Sequence, residues 1–255
     1  MRLNINSDLG ESYGSFRMGN DEMLLGIIDT ANVACGLHGG DPKVMRDTVL
    51  RARDEGVSIG AHPGYADLNG FGRRAMNLPA TEIEALLVYQ MGAIAAMGRF
   101  NGLPITHVKP HGALNNQACA DAGLAKVIAD TIAQFDPSLV LLAPVMSELA
   151  AAGTAAGLTV ALEVFADRTY EADGQLTPRN IEGSVIQDSL QACAHVMGMV
   201  DTGGIVTRKG QLLPITFHSI CVHGDGRAAI ETARILRHSL IERGHDLVTL
   251  DRIFG

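Results

Sequence analysis

The stretch Thr106-His107-Val108-Lys109-Pro110-His111-Gly112 decides the fold. Two histidines four residues apart invite a helical HxxxH pair. Pro110, however, has no amide hydrogen and disfavours the helical region for the residue before it, while β-branched Val108 suits extended chain. Read as a strand over Thr106–His111, the two imidazoles lie about 13 Å apart at ~3.3 Å per residue, too far to share one ion. Alternation then puts Lys109 and His111 on one side, with His107 below them. The strand therefore ends in a set of reactive side chains.

Working outward, the same signature recurs along the chain. Short apolar runs predict strands at Leu3–Asn6, Asn32–Cys35, Ser58–His62, Leu139–Pro144, Thr159–Phe165 and Thr216–His223, read as apolar on both faces beneath covering helices. Between them, Asp41-Pro42 caps a helix ending near Gly56, and Thr81-Glu82-Ile83-Glu84 forms a capping box for a helix to about Arg99. Further helices are predicted at Ala122–Phe135, Met146–Ala156, Asn180–Val200 and Arg227–Arg243. Strands followed by helices or long loops imply parallel pairing with right-handed crossovers, as a (β/α) barrel of about seven units or an open doubly wound sheet. No linker or composition break divides residues 1–255, so a single domain is expected.

Composition narrows the function. The 255 residues carry a formal charge of −8, 47 % hydrophobic residues and no Trp. An acidic chain without a basic run has no footprint for nucleic acid. No apolar stretch is long enough for a membrane helix, and Met1-Arg2-Leu3-Asn4 turns polar too soon for a signal peptide, so a cytoplasmic location is expected. Cys35, Cys119, Cys193 and Cys221 show no CxxC spacing and read as free thiols, with Cys35 and Cys221 as packing residues. Lysine is scarce, at Lys43, Lys109, Lys126 and Lys209, so one in an apolar strand stands out.

Six strand ends carry chemistry. They deliver Asn6-Ser7-Asp8-Leu9-Gly10-Glu11, Cys35-Gly36-Leu37-His38, His62-Pro63-Gly64, Lys109-Pro110-His111, Glu163-Val164-Phe165-Ala166-Asp167-Arg168 and His223-Gly224-Asp225. In a parallel barrel these ends converge on one face, where such folds place their sites. Lys109, desolvated there, is read either as a lowered-pKa base or as a point charge for carboxylate or phosphate. Asp167-Arg168 is read as a candidate buried ion pair, and Asp8, His38 and His62 as a candidate metal set. The turn Gly224-Asp225-Gly226 opens the last helix and offers amides to an anion. Too little chain follows it for a dinucleotide fold. The loop Gly70-Phe71-Gly72-Arg73-Arg74 is read as a lid offering Arg73 and Arg74 to an anion. No Walker loop and no GxSxG elbow is present.

These segments, with Asn6–Gly14, Ala31–His38, Val108–Leu114 and Val222–Asp225 in order, resemble the LamB/YcsF family over residues 4 to 226. One departure is Asn115, where the family usually has Tyr. The resemblance implies an α/β fold, a distorted seven-stranded (β/α) barrel related to the glycoside hydrolase/deacetylase superfamily. It also implies ATP-dependent opening of the 5-oxo-L-proline lactam to L-glutamate, with ATP as co-substrate, Mg²⁺ accompanying it, and 5-oxoprolinase subunits B and C as partners. For that reaction Asp8, Glu11, Glu163 and Asp167 are the candidates to orient water or Mg²⁺. His38, His62, His111 and His223 are the proton carriers. Asn6, Lys109, Arg73, Arg74 and Arg168 would hold substrate carboxylate or phosphoryl, with Gly224, Asp225 and Gly226 at the phosphate. The alternatives are a metal-dependent deacetylase or amidohydrolase, and a substrate-binding subunit whose partners carry the catalysis.

Overall fold

The computed structural model describes residues 1–223 and 228–254; the turn Gly224–Gly226 lies outside them. The strands are β1 (Arg2–Leu9), β2 (Thr30–Ala34), β3 (Ser58–His62), β4 (Ile105–Val108), β5 (Val140–Pro144), β6 (Val160–Phe165), β7 (Gly204–Val206), β8 (Leu212–Pro214), β9 (Ser219–Cys221) and β10 (Asp246–Leu247). The helices are α1 (Asp21–Leu25), α2 (Pro42–Glu55), α3 (Ala80–Phe100), α4 (Gly112–Ala120), α5 (Ala122–Phe135), α6 (Glu148–Ala155), α7 (Ser189–Thr202) and α8 (Ala229–Glu242). Strands β1 to β6 pair in parallel in chain order, β6 pairs with β9, and β9 returns to β1. The sheet therefore closes into a seven-stranded barrel, and the open alternative is excluded. Strand β10 adds to the outer flank of β1, while β7 and β8 form a separate antiparallel hairpin. Among the described residues no helix is long and apolar enough to cross a membrane.

Local chemistry explains most boundaries. Asp41 accepts from the amides of Lys43 and Val44, Pro42 occupies the first turn, and Gly56 ends α2 at φ +71°. The capping box at Thr81 does not form: α3 starts two residues earlier, behind Pro79, with no side-chain cap. The helix expected from Asn180 begins only at Ser189, where Asp188 accepts from the Gln191 amide. Residues 180–188 instead form a loop paired with the stretch after β6, where the Ser184 carbonyl accepts from the Thr169 amide and the Ile186 amide donates to the Asp167 carbonyl. The fourth strand stops at Val108, so Lys109 and His111 sit just beyond it, although Lys109 still donates to the Ala61 carbonyl.

The outer faces are apolar, with Leu3, Ile5, Leu9, Val33, Ile59 and Val108 all buried against helices. The inner faces contradict the expectation of strands apolar on both sides. Val140, Leu142 and Ala161 pack inside with Leu250, which plugs the lower end from a 3₁₀ turn at Leu250–Arg252. The rest of the interior is a polar ladder. Asn4 donates to Thr30, Thr30 meets Ser58, and Asn6 donates to Glu163 and Ser219. Asn32 donates to Asn6 and Asp8, and His107 Nε2 donates to Asn32. A Cβ at Gly60 would come within 2.3 Å of the His107 ring, so glycine is what lets the imidazole cross the barrel. This connected network binds the strands to one register and supports the side chains above it.

His107 makes the ladder sensitive to acid. Burial above all, then Lys109 and His62, drives its pKa from 6.5 down to about 3, so the folded protein holds it neutral. Unfolding releases it to take up a proton anywhere between those two values. Its contribution is complete above pH 6.5 and declines as the pH falls, by about 1.4 kcal/mol per pH unit for one proton. Denaturant unfolding across this range should show a flatter acid limb in His107→Gln than in wild type, by about one proton. Equal slopes would contradict the burial of a neutral imidazole.

Candidate active site

The strand ends frame a cavity of about 620 Å³ whose lining includes Asp8, Glu11, His62, Lys109, Phe165 and His223. Its floor is an ion cluster. Lys109 Nζ lies 2.8 Å from Glu163 Oε1, 3.1 Å from Asp8 Oδ1, 3.2 Å from Asn6 Oδ1 and 3.2 Å from Cys221 Sγ. It also sits over the Phe165 ring, 5.5 Å from its centroid. Burial, the largest influence, would lower this ammonium, but the attraction of Asp8 and Glu163 overcomes it and holds the pKa well above 10.5. Lys109 is thus a permanent cation and not the lowered-pKa base that was one expectation. Its three N–H bonds are committed inside the cluster, so it neutralises the carboxylates. Cys221 faces this ammonium instead of serving as mere packing, and burial keeps it a thiol.

Asp8 is nearly enclosed. Burial opposes its ionisation, yet His62 and Lys109 lower its pKa well below 3.8, so it stays a carboxylate. Its second oxygen lies 3.4 Å from His62 Nε2. On the opposite wall Asp167 accepts from His223 Nδ1 at 2.8 Å, and Phe165 stacks on the His223 ring. This pairing replaces the expected ion pair of Asp167 with Arg168. Burial again opposes, but His223 lowers the Asp167 pKa, and the carboxylate fixes the imidazole orientation. A His223 ring nitrogen and an Asp8 oxygen come within 4.8 Å of each other.

Three histidines gather beside Asp8. His38 and His111 are stacked with centroids 3.7 Å apart, and His62 meets both rings edge-on. Donor atoms of Glu11, His38, His62 and His111 all lie within 4.8 Å of one another, as do those of Asp8, Cys221 and His223. Of the expected metal set, His38 and His62 fall in the first group, with Glu11 and His111, and Asp8 falls in the second.

The loop after β3 forms the roof over the histidines. Phe71 takes φ +55°, contacts His38 and His111 edge-on, and accepts from His111 Nε2 through its carbonyl. At Gly72, φ is +63° and a Cβ would lie 2.8 Å from His111, so this close approach requires glycine. The two arginines of the loop divide. Arg73 lines the cavity above Phe71. Arg74 is clamped by Asp67, whose carboxyl these hydrogen bonds hold at about 2, and it does not line the cavity. Arg74 is therefore a loop brace, against the expectation that it meets an anion.

Arg168 also lines the cavity, with its guanidinium held by the Ser184 and Thr177 carbonyls. The loop ahead of residue 180 adds Arg179 to the same wall, a residue that no motif in the sequence singled out. Asn32, the acceptor of His107 and donor to Asp8, also went unnoticed; its signal is a polar residue facing inward within a buried strand. Asn115 lines the cavity from α4. The wall thus combines a carboxylate–lysine floor, an Asp–His pair and three arginines.

Comparison with known proteins gives this arrangement relatives. The profile of the LamB/YcsF family matches residues 3–254. A protein of Azoarcus sp. (strain BH72), named as the A subunit of 5-oxoprolinase, is 50 % identical over 250 residues, covering 98 % of each chain. The crystal structure of the lactam utilization protein from Thermus thermophilus superposes with a TM-score of 0.93 at 40 % identity, over 98 % of this chain and 100 % of that one. The catalytic domain of a peptidoglycan N-acetylglucosamine deacetylase from Eubacterium rectale ATCC 33656 shares the fold alone. Its TM-score is 0.52 at 11 % identity, over 98 % of this chain and 88 % of that one.

Proposed function

We propose, from the premise that the chain belongs to the LamB/YcsF family, that it is the A subunit of an ATP-dependent 5-oxoprolinase. It opens the lactam of 5-oxo-L-proline to L-glutamate while ATP becomes ADP and phosphate, in a complex with subunits B and C. The observation that carries this reading is 50 % identity, spread over 98 % of both chains, to a relative of that name. The cavity supports it chemically.

A lactam is a resonance-stabilised amide, and ATP, with Mg²⁺, supplies the phosphoryl group that makes its carbonyl carbon electrophilic. The remaining work falls to this chain. Arg73, Arg168 and Arg179 give the cavity wall positive charge for the substrate carboxylate or the transferring phosphoryl group. Asp8, ionised and aimed at the cavity, orients the attacking water. His223, with its Nδ1 proton committed to Asp167, takes the water proton on its other nitrogen and returns it to the leaving ring nitrogen, so C–N cleavage leaves an acyl phosphate that a second water hydrolyses to glutamate and phosphate. Lys109 prevents Asp8 and Glu163 from repelling one another.

The test is reconstitution with subunits B and C. Glutamate and ADP should form together from 5-oxo-L-proline only when this chain is present. Equal glutamate formation by B and C without it would overturn the assignment.

A further inference from the structure

Backbone carbonyls settle where two imidazoles keep their protons. His62 Nδ1 lies 2.7 Å from the Lys109 carbonyl, and His111 Nε2 lies 2.8 Å from the Phe71 carbonyl. A carbonyl only accepts, so in each neutral ring the proton sits on that nitrogen. The remaining nitrogens, His62 Nε2 and His111 Nδ1, then both present lone pairs. They nevertheless face one another at 3.0 Å. Two lone pairs at that distance repel unless an electrophile lies against both.

The surroundings say which electrophile. Glu11 Oε1 is 3.5 Å from His111 Nδ1 and 3.6 Å from His38 Nε2, and Asp8 Oδ2 is 3.4 Å from His62 Nε2. His38 is 1 % exposed, and among the described residues neither of its ring nitrogens has a hydrogen-bond partner. A proton shared by His62 and His111 would satisfy that pair but leave His38 without a partner.

We propose that Glu11, His62 and His111, completed by His38, bind one divalent first-row transition-metal cation such as Zn²⁺. Separations of 3.0 to 3.6 Å between donors are close to the roughly 3.3–3.6 Å expected of ligands sharing a tetrahedral zinc. The backbone carbonyls behind His62 and His111 act as outer partners that orient metal-binding imidazoles. His38, stacked parallel to His111, must turn its ring to aim a nitrogen at the same point. Three imidazoles with one carboxylate favour zinc, cobalt or nickel over magnesium, which prefers oxygen ligands. The cation is therefore separate from the Mg²⁺ that accompanies ATP. It would lie beside Asp8, where a Lewis acid can polarise an oxygen of substrate or water.

The inference does not depend on the lactam reading, because binding is measured without turnover. The full-length chain, stripped with a chelator, is titrated with Zn²⁺ by calorimetry and with Co²⁺ by visible ligand-field absorption. One equivalent per chain is expected, with a rise in melting temperature and no displacement by excess Mg²⁺. His111→Gln and Glu11→Gln should each weaken binding by at least about tenfold. His238→Ala, which removes an exposed His–Glu pair, should leave the stoichiometry unchanged. Absence of binding by the stripped wild-type chain, or unchanged binding in both His111→Gln and Glu11→Gln, would overturn the site.

Discussion

Lys109→Met should cost about 3–5 kcal/mol of stability, the penalty for removing one partner from a buried ion pair. This is a large fraction of the roughly 5–15 kcal/mol that holds a typical domain together. Methionine fills similar volume, so the loss is electrostatic. The ammonium is 3 % exposed and stands between Asp8 and Glu163, and without it two carboxylates face each other inside the barrel. In the variant, burial of Asp8 is no longer offset by the ammonium, so its pKa rises relative to wild type. The loss is largest where Asp8 is ionised and fades once the pH falls low enough to protonate it. The gap from wild type should consequently narrow on acidification, when followed by urea unfolding. Lys109→Met/Glu163→Gln should recover part of the stability while remaining inactive. A variant as stable as wild type at neutral pH would show that the cluster does not depend on its cation.

Asp8→Asn should lower kcat of the reconstituted complex by about 10²- to 10⁴-fold, the usual scale for losing a positioned proton-handling or water-orienting group. The amide oxygen can still accept from Lys109 and Asn32, so the fold should be nearly as stable as wild type. The effect belongs to kcat more than KM, because substrate charge is met by the arginines on the wall. Since Asp8 ionises well below 3.8, the wild-type acid limb between about pH 5 and 7 should not report its titration. Steady-state kinetics across pH, with melting curves as a check on folding, would test both points. Near-wild-type turnover would remove Asp8 from the chemistry.

Much of the architecture was legible because short apolar runs and Pro or Gly boundaries are local signals. The strand ends exposed the candidate residues for the same reason: reactive side chains recur where a parallel barrel must converge. The polar ladder was less visible. Asn4, Asn6, Asn32 and His107 are single polar positions in short strands, and only barrel closure shows that they face one another. The β7–β8 hairpin was missed because its three-residue strands carry almost no periodicity. Arg73 and Arg74 are adjacent and chemically alike; their separation depends on Asp67, brought close by the loop's own turn. The state of Lys109 required partners about a hundred and more than fifty positions away, Asp8 and Glu163. Distance along the chain hid that balance of burial against attraction.

The most direct measurement is hydrogen exchange on the complex with subunits B and C, with and without 5-oxo-L-proline and a non-hydrolysable ATP analogue. Protection should appear in this chain at the peptides carrying Asp8–Ser12, Phe71–Arg73 and Lys109–Gly112, around the cavity mouth. Protection confined to the partner subunits, with these peptides unchanged, would contradict lactam opening at this barrel.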